Sequence, residues 1–68
     1  MRAVVLYRGE DGYWVAEVPS LPGCVSQGQS KVDAIGNIRE AIDGWIETAV
    51  ANGQTVPDDP LDTQVVCV

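Results

Sequence analysis

The side chains that could do chemistry are few, and no group of them forms a complete catalytic set. The 68-residue chain has no histidine, which removes Ser-His-Asp, Cys-His and imidazole–metal chemistry. Glu10 and Asp11 are adjacent acids in a turn-forming segment. General acid–base catalysis instead needs two carboxylates that converge on a cleft, with at least one shifted pKa. We therefore assign no catalytic residue and expect these two acids to be solvated or to contact a basic partner.

Metal and thiol chemistry have equally little support. Asp58, Asp59 and Asp62 lie in a proline-containing loop and lack the alternating oxygen ligands of an EF-hand. Cys24 and Cys67 show no C-x-x-C spacing and no neighbouring base or cation that would lower a thiol pKa. We expect two free cysteines that pack as small apolar side chains in a reducing compartment, and no bound metal or cofactor.

The charge balance indicates which kind of partner the chain could bind. Ten Asp and Glu residues face four Lys and Arg residues, giving a net charge of −6. An acidic surface argues against direct binding of nucleic acid, which needs clustered basic side chains, and favours a basic protein partner. The sequence contains neither a signal-peptide core nor an apolar run of about 18 residues, so we expect a cytoplasmic protein with no membrane contact.

Length and apolar content predict one small domain over residues 1–68. The apolar fraction is 46%, which is too high for a disordered acidic tail. A core of this size barely offsets the conformational entropy of folding, so self-association into a homo-oligomer is expected.

The elements that must position these residues begin with a β-hairpin. Residues 2–8 and 13–18 are rich in β-branched and aromatic side chains and flank Gly9-Glu10-Asp11-Gly12. With Glu10-Asp11 as a two-residue loop, the core face would hold Ala3, Val5, Tyr7, Trp14, Ala16 and Val18. The outer face would then hold Arg2, Val4, Leu6, Arg8, Tyr13, Val15 and Glu17. A short third strand is predicted over residues 24–27, after a stiff turn.

A long helix and a last strand complete the predicted order. Ser30 is a good N-cap with Asp33 three residues later, and Asn52-Gly53 is a helix stop. Between them the apolar residues recur in steps of three and four: Ala34, Ile35, Ile38, Ala41, Ile42, Trp45, Ile46 and Ala49. Gly36 and Gly44 fall on the polar side of this helix, either as tolerated surface residues or as a groove for another backbone.

The apolar run over residues 63–68 predicts a final strand inside the sheet. The fold class is then α+β with the order β-β-β-α-β: an antiparallel meander, one long helix on one face, and a last strand parallel to a neighbour.

Residues 11–28 carry a resemblance to a known family. The pattern Gly-aromatic-x-x-x-x-Val-Pro-x-Leu-Pro-Gly-Cys-Val-Ser-x-Gly, followed by Ser30 and an Ala/Ile-rich helix, resembles the HicB antitoxins. The resemblance implies a partial ribonuclease-H-like fold without catalytic acids. It also implies an antitoxin that binds and neutralises a small, basic, mRNA-cleaving toxin of the HicA type. Many HicB proteins add a C-terminal DNA-binding domain, and we expect none here.

Three hypotheses follow. The first is a non-enzymatic antitoxin-like protein whose partner-binding residues are Glu10, Asp11, Tyr13 and Glu17. The second is an orphan self-assembling domain that binds another protein or a small ligand without a toxin partner. The third and weakest is a hydrolase on the ribonuclease-H-like scaffold, which would need a carboxylate cluster that holds Mg²⁺.

Overall fold

Three antiparallel strands and one long helix make up the fold, in a computed structural model that describes residues 1–68. The strands are β1 (Val5–Arg8), β2 (Trp14–Glu17) and β3 (Val25–Gly28), in the sheet order β1-β2-β3, and the helix is α1 (Lys31–Ala51). The helix packs on one face of the sheet, against β2 and β3. These four elements confirm the α+β class and the predicted order as far as the helix. The helix is not apolar enough along its length to cross a membrane.

The register of the hairpin differs from the predicted one by a single residue. Leu6 lies opposite Ala16 and Arg8 opposite Trp14. The loop has three residues rather than two, because the Gly9 N–H donates to the carbonyl of Tyr13 (2.8 Å). Three-residue hairpin loops commonly place a left-handed residue last; here this is Gly12, with φ +84°.

This shift reverses the predicted faces of β1 and leaves those of β2 unchanged. Val4 and Leu6 pack against the core, as do Trp14, Ala16 and Val18. The prediction that Ala3, Val5 and Tyr7 meet the core was therefore wrong. Since side chains alternate along a strand, a slip of one residue moves a whole strand's apolar set to the other face.

The core lies between the sheet and the helix and includes the turn between β2 and β3. Its buried members are Ala16, Val18, Leu21, Cys24, Ala34 and Ile38. In the turn, the Cys24 N–H donates to the Leu21 carbonyl (3.0 Å). Pro22 and Gly23, with φ +79° at the glycine, occupy the central positions of a type II turn. This turn places Leu21 and Cys24 inside and confirms the prediction that Cys24 packs as a small apolar residue.

The helix begins and ends where its caps predict. The Ser30 side chain accepts from the Asp33 N–H (3.1 Å), and Asn52 follows the last helical residue, with Gly53 at φ +69°. At its start the helix lies very close to β3, since a Cβ added at Gly28 would sit 2.5 Å from the backbone nitrogen of Ala34. Glycine at position 28 is thus what allows the strand and the helix to meet.

The fourth strand predicted over residues 63–68 is absent from the sheet. Residues 54–68 have no regular secondary structure, and residues 61–68 are all exposed. Cys67 is therefore an exposed thiol rather than a packed one. The reason is a long-range anchor: the Asp59 carboxylate accepts from the Ala3 N–H and from the Leu61 N–H. Leu61, with φ +56°, then turns the chain away from the sheet.

Candidate partner-binding face

The face of the sheet that the helix leaves uncovered is the candidate site. We call it the outer face and define it by the side chains that alternate with the core set, namely Val5, Tyr7, Tyr13, Val15, Glu17, Val25 and Gln27. Nothing within the chain packs over it as the helix packs over the opposite side. A face of this kind meets either water or a partner.

The middle of the outer face is apolar and aromatic. Tyr7 lies directly opposite Val15 on the neighbouring strand. Tyr7 and Val25 are 44% and 48% exposed. Exposed aromatic and aliphatic side chains on a rigid sheet are the type of residue that anchors protein–protein interfaces.

The four predicted site residues lie at the two ends of this apolar strip rather than in one cluster. Glu10 and Asp11 are exposed at the hairpin tip, and Tyr13 is half-buried next to them. Asp11 accepts the Tyr13 N–H (3.1 Å), so its carboxylate also shapes the turn. Glu17 is exposed on the same face as Tyr13, about 13 Å farther along β2 at the rise of an extended strand. The result is an apolar strip with acidic residues at both ends.

The basic side chains are directed elsewhere. Arg8 and Lys31 lie over the Trp14 ring, at 5.0 and 4.8 Å from its centroid, where cation–π attraction holds them on the helix side. Arg2 donates to a serine hydroxyl of the β2–β3 turn (3.0 Å), and Arg39 lies on the helix. The corrected register therefore removes Arg8 from the outer face, whose only charged side chain is that of Glu17.

Tyr7 was missed because the hairpin loop was assigned two residues, and Val25 was missed because no faces were assigned to the third strand. A signal for the correct loop was present, since Gly12 directly after Asp11 fits the last position of a three-residue loop as well as it fits a two-residue turn. With that loop, alternation alone would have placed Tyr7 beside Tyr13 and Val15.

Neither a metal centre nor a reactive thiol is assembled here. No group of three or more His, Cys, Asp or Glu side chains is placed to hold a metal ion. Burial raises the pKa of the Cys24 thiol, against a smaller opposing effect of the Arg2 charge. A thiol with a raised pKa is protonated at neutral pH and is a poor nucleophile.

Known proteins resemble this chain over most of its length. The family described as HicB_like antitoxin of bacterial toxin-antitoxin system matches residues 3–66. A UPF0150 protein of Thermoplasma acidophilum is 45% identical over 56 residues, which is 82% of this chain and 81% of the relative. A UPF0150 protein of Synechocystis is 45% identical over 58 residues, 85% of this chain and 73% of the relative. One from Helicobacter pylori is 54% identical over 42 residues, 62% of this chain and 57% of the relative. The chain therefore belongs to the HicB-like antitoxin family, which suggests a role in a toxin–antitoxin system without enzymatic activity of its own.

Proposed function

We propose that this protein binds a small basic toxin of the HicA type through the outer face and neutralises it by covering its RNA-binding surface. The observation that carries the proposal is the composition of that face and of the hairpin tip beside it. Tyr7 and Val25 are exposed on the face, Glu10 and Asp11 are exposed at the tip, and Glu17 lies beside Val25 at the far end. A ribonuclease that binds RNA needs a basic surface. An acidic, apolar-centred face is the complement of such a surface.

The two kinds of residue would act at different steps of binding. Glu10 and Glu17, which are exposed, would speed association, because complementary charge steers encounter and its effect is screened by salt. Tyr7 and Val25 would slow dissociation, because buried anchors carry most of the energy of an interface. The protein contributes no bond-making step, and its action is steric and electrostatic masking in the cytoplasm, where mRNA is translated.

Charge reversal at the hairpin tip and on the outer face tests the first step. Glu10→Lys and Glu17→Lys together should lower the association rate at low salt, and the effect should shrink as salt is added. Asp11 is left unchanged, because its carboxylate accepts the Tyr13 N–H and its loss would disturb the hairpin. The matched control is Glu40→Lys with Glu47→Lys. This pair makes the same change in net charge on exposed helix residues.

The assay is co-expression with the small basic protein encoded beside this gene, scored by growth, followed by association kinetics of the purified pair. The Glu10→Lys/Glu17→Lys variant should protect cells less well than the helix variant. Equal loss in both variants would mean that only net charge matters, and no loss in either would remove the outer face from the proposal.

Removing the central aromatic tests the second step. Tyr7→Ala should raise the dissociation rate about tenfold or more, since anchor residues contribute about 2 kcal/mol or more to binding. Because Tyr7 also pairs across the sheet with Val15, the variant's thermal unfolding is measured alongside. A folded variant that dissociates from the toxin at the wild-type rate contradicts the assignment.

Self-assembly without a toxin remains the second candidate function, and a different observation favours it. An open apolar groove of about 610 Å³ lies between β1 and α1, on the opposite side of the sheet from the outer face. Absence of any small basic protein that co-purifies with this chain would favour this alternative over the antitoxin role.

A further inference from the structure

β1 is an open edge of the sheet, and an apolar groove runs beside it. β1 pairs only with β2, so the backbone groups on its other side have no strand partner. The groove is lined by Val4 and Leu6 of the first strand segment and by Ile35, Ile38, Ile42 and Ile46 of α1. Open, apolar strand edges readily pair with another chain, and proteins usually cover or charge them. No strand covers this edge, and the charged residues beside it, Arg2, Arg8 and Arg39, are all basic.

The C-terminal segment, residues 63–68, has the complementary property. Its sequence Thr-Gln-Val-Val-Cys-Val is rich in β-branched residues and has no charged side chain, yet Val65 is 88% exposed and Val66 is 68% exposed. These residues have the composition of a buried strand and no strand to pair with. Arg2 and Arg39 are the charged residues of the groove, whereas the segment leading to the C-terminal residues contains Asp58, Asp59 and Asp62 and no cation. The charges of the two surfaces are therefore compatible.

Two contacts direct this segment away from its own groove. The Asp59 carboxylate joins the start of β1 to the β2–β3 turn, through the Ala3 N–H and the Ser20 hydroxyl. After the left-handed turn at Leu61, Asp62 and Thr63 lie beside Pro19 and Ser20. That position is on the β2 side of the anchor, whereas the free edge of β1 is on the other side.

We infer that residues 63–68 of one copy add as a strand to the free edge of β1 in a second copy, with alternate side chains entering its groove. Reciprocal exchange between two copies would pair both edges and bury both apolar segments, which closes the assembly as a symmetric dimer. The occupant of the groove is thus a second copy of this chain. The inference is independent of toxin binding, which uses the opposite face of the sheet.

Full-chain variants with matched changes test the exchange by molar mass in solution. Val66→Asp alters the segment and Ile35→Asp alters the groove at a position that is already 38% exposed. Each should halve the mass of the wild-type dimer. Val50→Asp is the control, because Val50 is 64% exposed on the helix, close to the 68% of Val66, and does not line the groove. It should leave the dimer intact.

Mixing the two variants identifies the exchange itself. Val66→Asp keeps an intact groove and Ile35→Asp keeps an intact segment, so the mixture should form a one-to-one heterodimer held by a single exchanged strand. A dimer that used any other surface would not be restored in this way. The mixture is measured at concentrations far above the dissociation constant of the wild-type dimer. If it stays monomeric there, the inference is contradicted.

Cys67 offers a direct measurement, since it is exposed whereas Cys24 is buried. One copy carries a nitroxide on Cys67 and no ¹⁵N, and it is mixed with a ¹⁵N-labelled Cys67→Ser copy. The nitroxide should broaden the amide signals of Val4 and Leu6 in the ¹⁵N-labelled copy. The inference is overturned if the wild type is monomeric at millimolar concentration. It is also overturned if Val66→Asp keeps the wild-type mass, or if broadening arises only within one chain.

Discussion

Replacing Gly28 by alanine should strongly destabilise the protein, although the change adds only one methyl group. The added Cβ would lie 2.5 Å from the Ala34 nitrogen and 2.8 Å from the carbonyl carbon and the Cβ of Asp33. Two of these three atoms belong to the backbone of the first helical turn, so rotating a side chain cannot relieve the contact. The helix must move off β3, which disturbs the packing of the core around Ala34.

The expected loss in the free energy of unfolding follows from the effect of overpacking in the cores of other proteins. Added methyl groups in well-packed cores destabilise by about 1–3 kcal/mol, and a clash with backbone belongs at the upper end, about 3 kcal/mol. A domain of 68 residues has a total stability of roughly 3–10 kcal/mol at about 0.05–0.15 kcal/mol per residue. Gly28→Ala should therefore remove a third or more of the stability and lower the Tm by more than about 10 °C.

Gly36→Ala is the matched control, because the same substitution at this position should raise the free energy of unfolding rather than lower it. Gly36 lies inside α1, and a Cβ at this position would meet nothing within 4 Å. Alanine should therefore stabilise the helix by about 1 kcal/mol. Urea denaturation of both variants, with the helical signal as the readout, measures the two effects on one scale. Equal stability of Gly28→Ala and the wild type would refute the proposed close approach of strand and helix.

Two further predictions concern single hydrogen-bonded side chains. Hydrogen bonds from the Ala3 and Leu61 N–H groups hold the pKa of Asp59 below its usual value of 3.8. The ionised Asp59 carboxylate therefore stabilises the folded state fully at a pH above 3.8. This stabilisation is lost as the pH falls from 3.8 through the lowered pKa of the folded state. Asp59→Asn should accordingly be less stable than the wild type in urea at pH 7, with the difference narrowing at pH 3; a constant difference would contradict this assignment. Ser30→Ala removes the acceptor for the Asp33 N–H and should cost about 1 kcal/mol in the same assay, whereas Ser30→Gly should cost only a few tenths.

The helix and the class of fold could be predicted because their signals are local. The N-cap, the helix stop and the apolar steps of three and four all lie within one segment, and each agrees with α1 at Lys31–Ala51. The same holds for the turn before β3, where Pro22-Gly23 determines the backbone conformation. Local chemistry of this kind needs no information about the rest of the chain.

The register of the hairpin could not be fixed by the same reasoning. Two-residue and three-residue loops both suit the segment Gly9 to Gly12, and they differ by one residue in pairing. The choice determines whether Tyr7 is a core residue or a candidate partner contact, so a small ambiguity in the turn becomes an error in the site. What decides between the loops is how Val4 and Leu6 pack against the helix side, which is a tertiary effect.

The prediction of a strand over residues 63–68 was wrong for a different reason. Its composition correctly identifies a strand-forming sequence, but composition does not identify the strand that it pairs with. The anchor that separates residues 63–68 from β1 is formed by Asp59 with Ala3, which are 56 positions apart in the sequence. Asp59 itself looked like one more solvated acid in an acidic loop.

The two open surfaces of this small sheet lie on opposite sides, and this arrangement separates their roles. The groove uses Val4 and Leu6, which point toward the helix, whereas the outer face uses Val5 and Tyr7, which alternate with them along the same strand. A strand added to the edge of β1 would extend the sheet without covering Tyr7 or Val25. It would also pair the free edge of β1, the strand that contributes Val5 and Tyr7 to the outer face. Self-association through the groove and toxin binding through the outer face are therefore compatible in one molecule, and the first would make the second surface wider and more rigid.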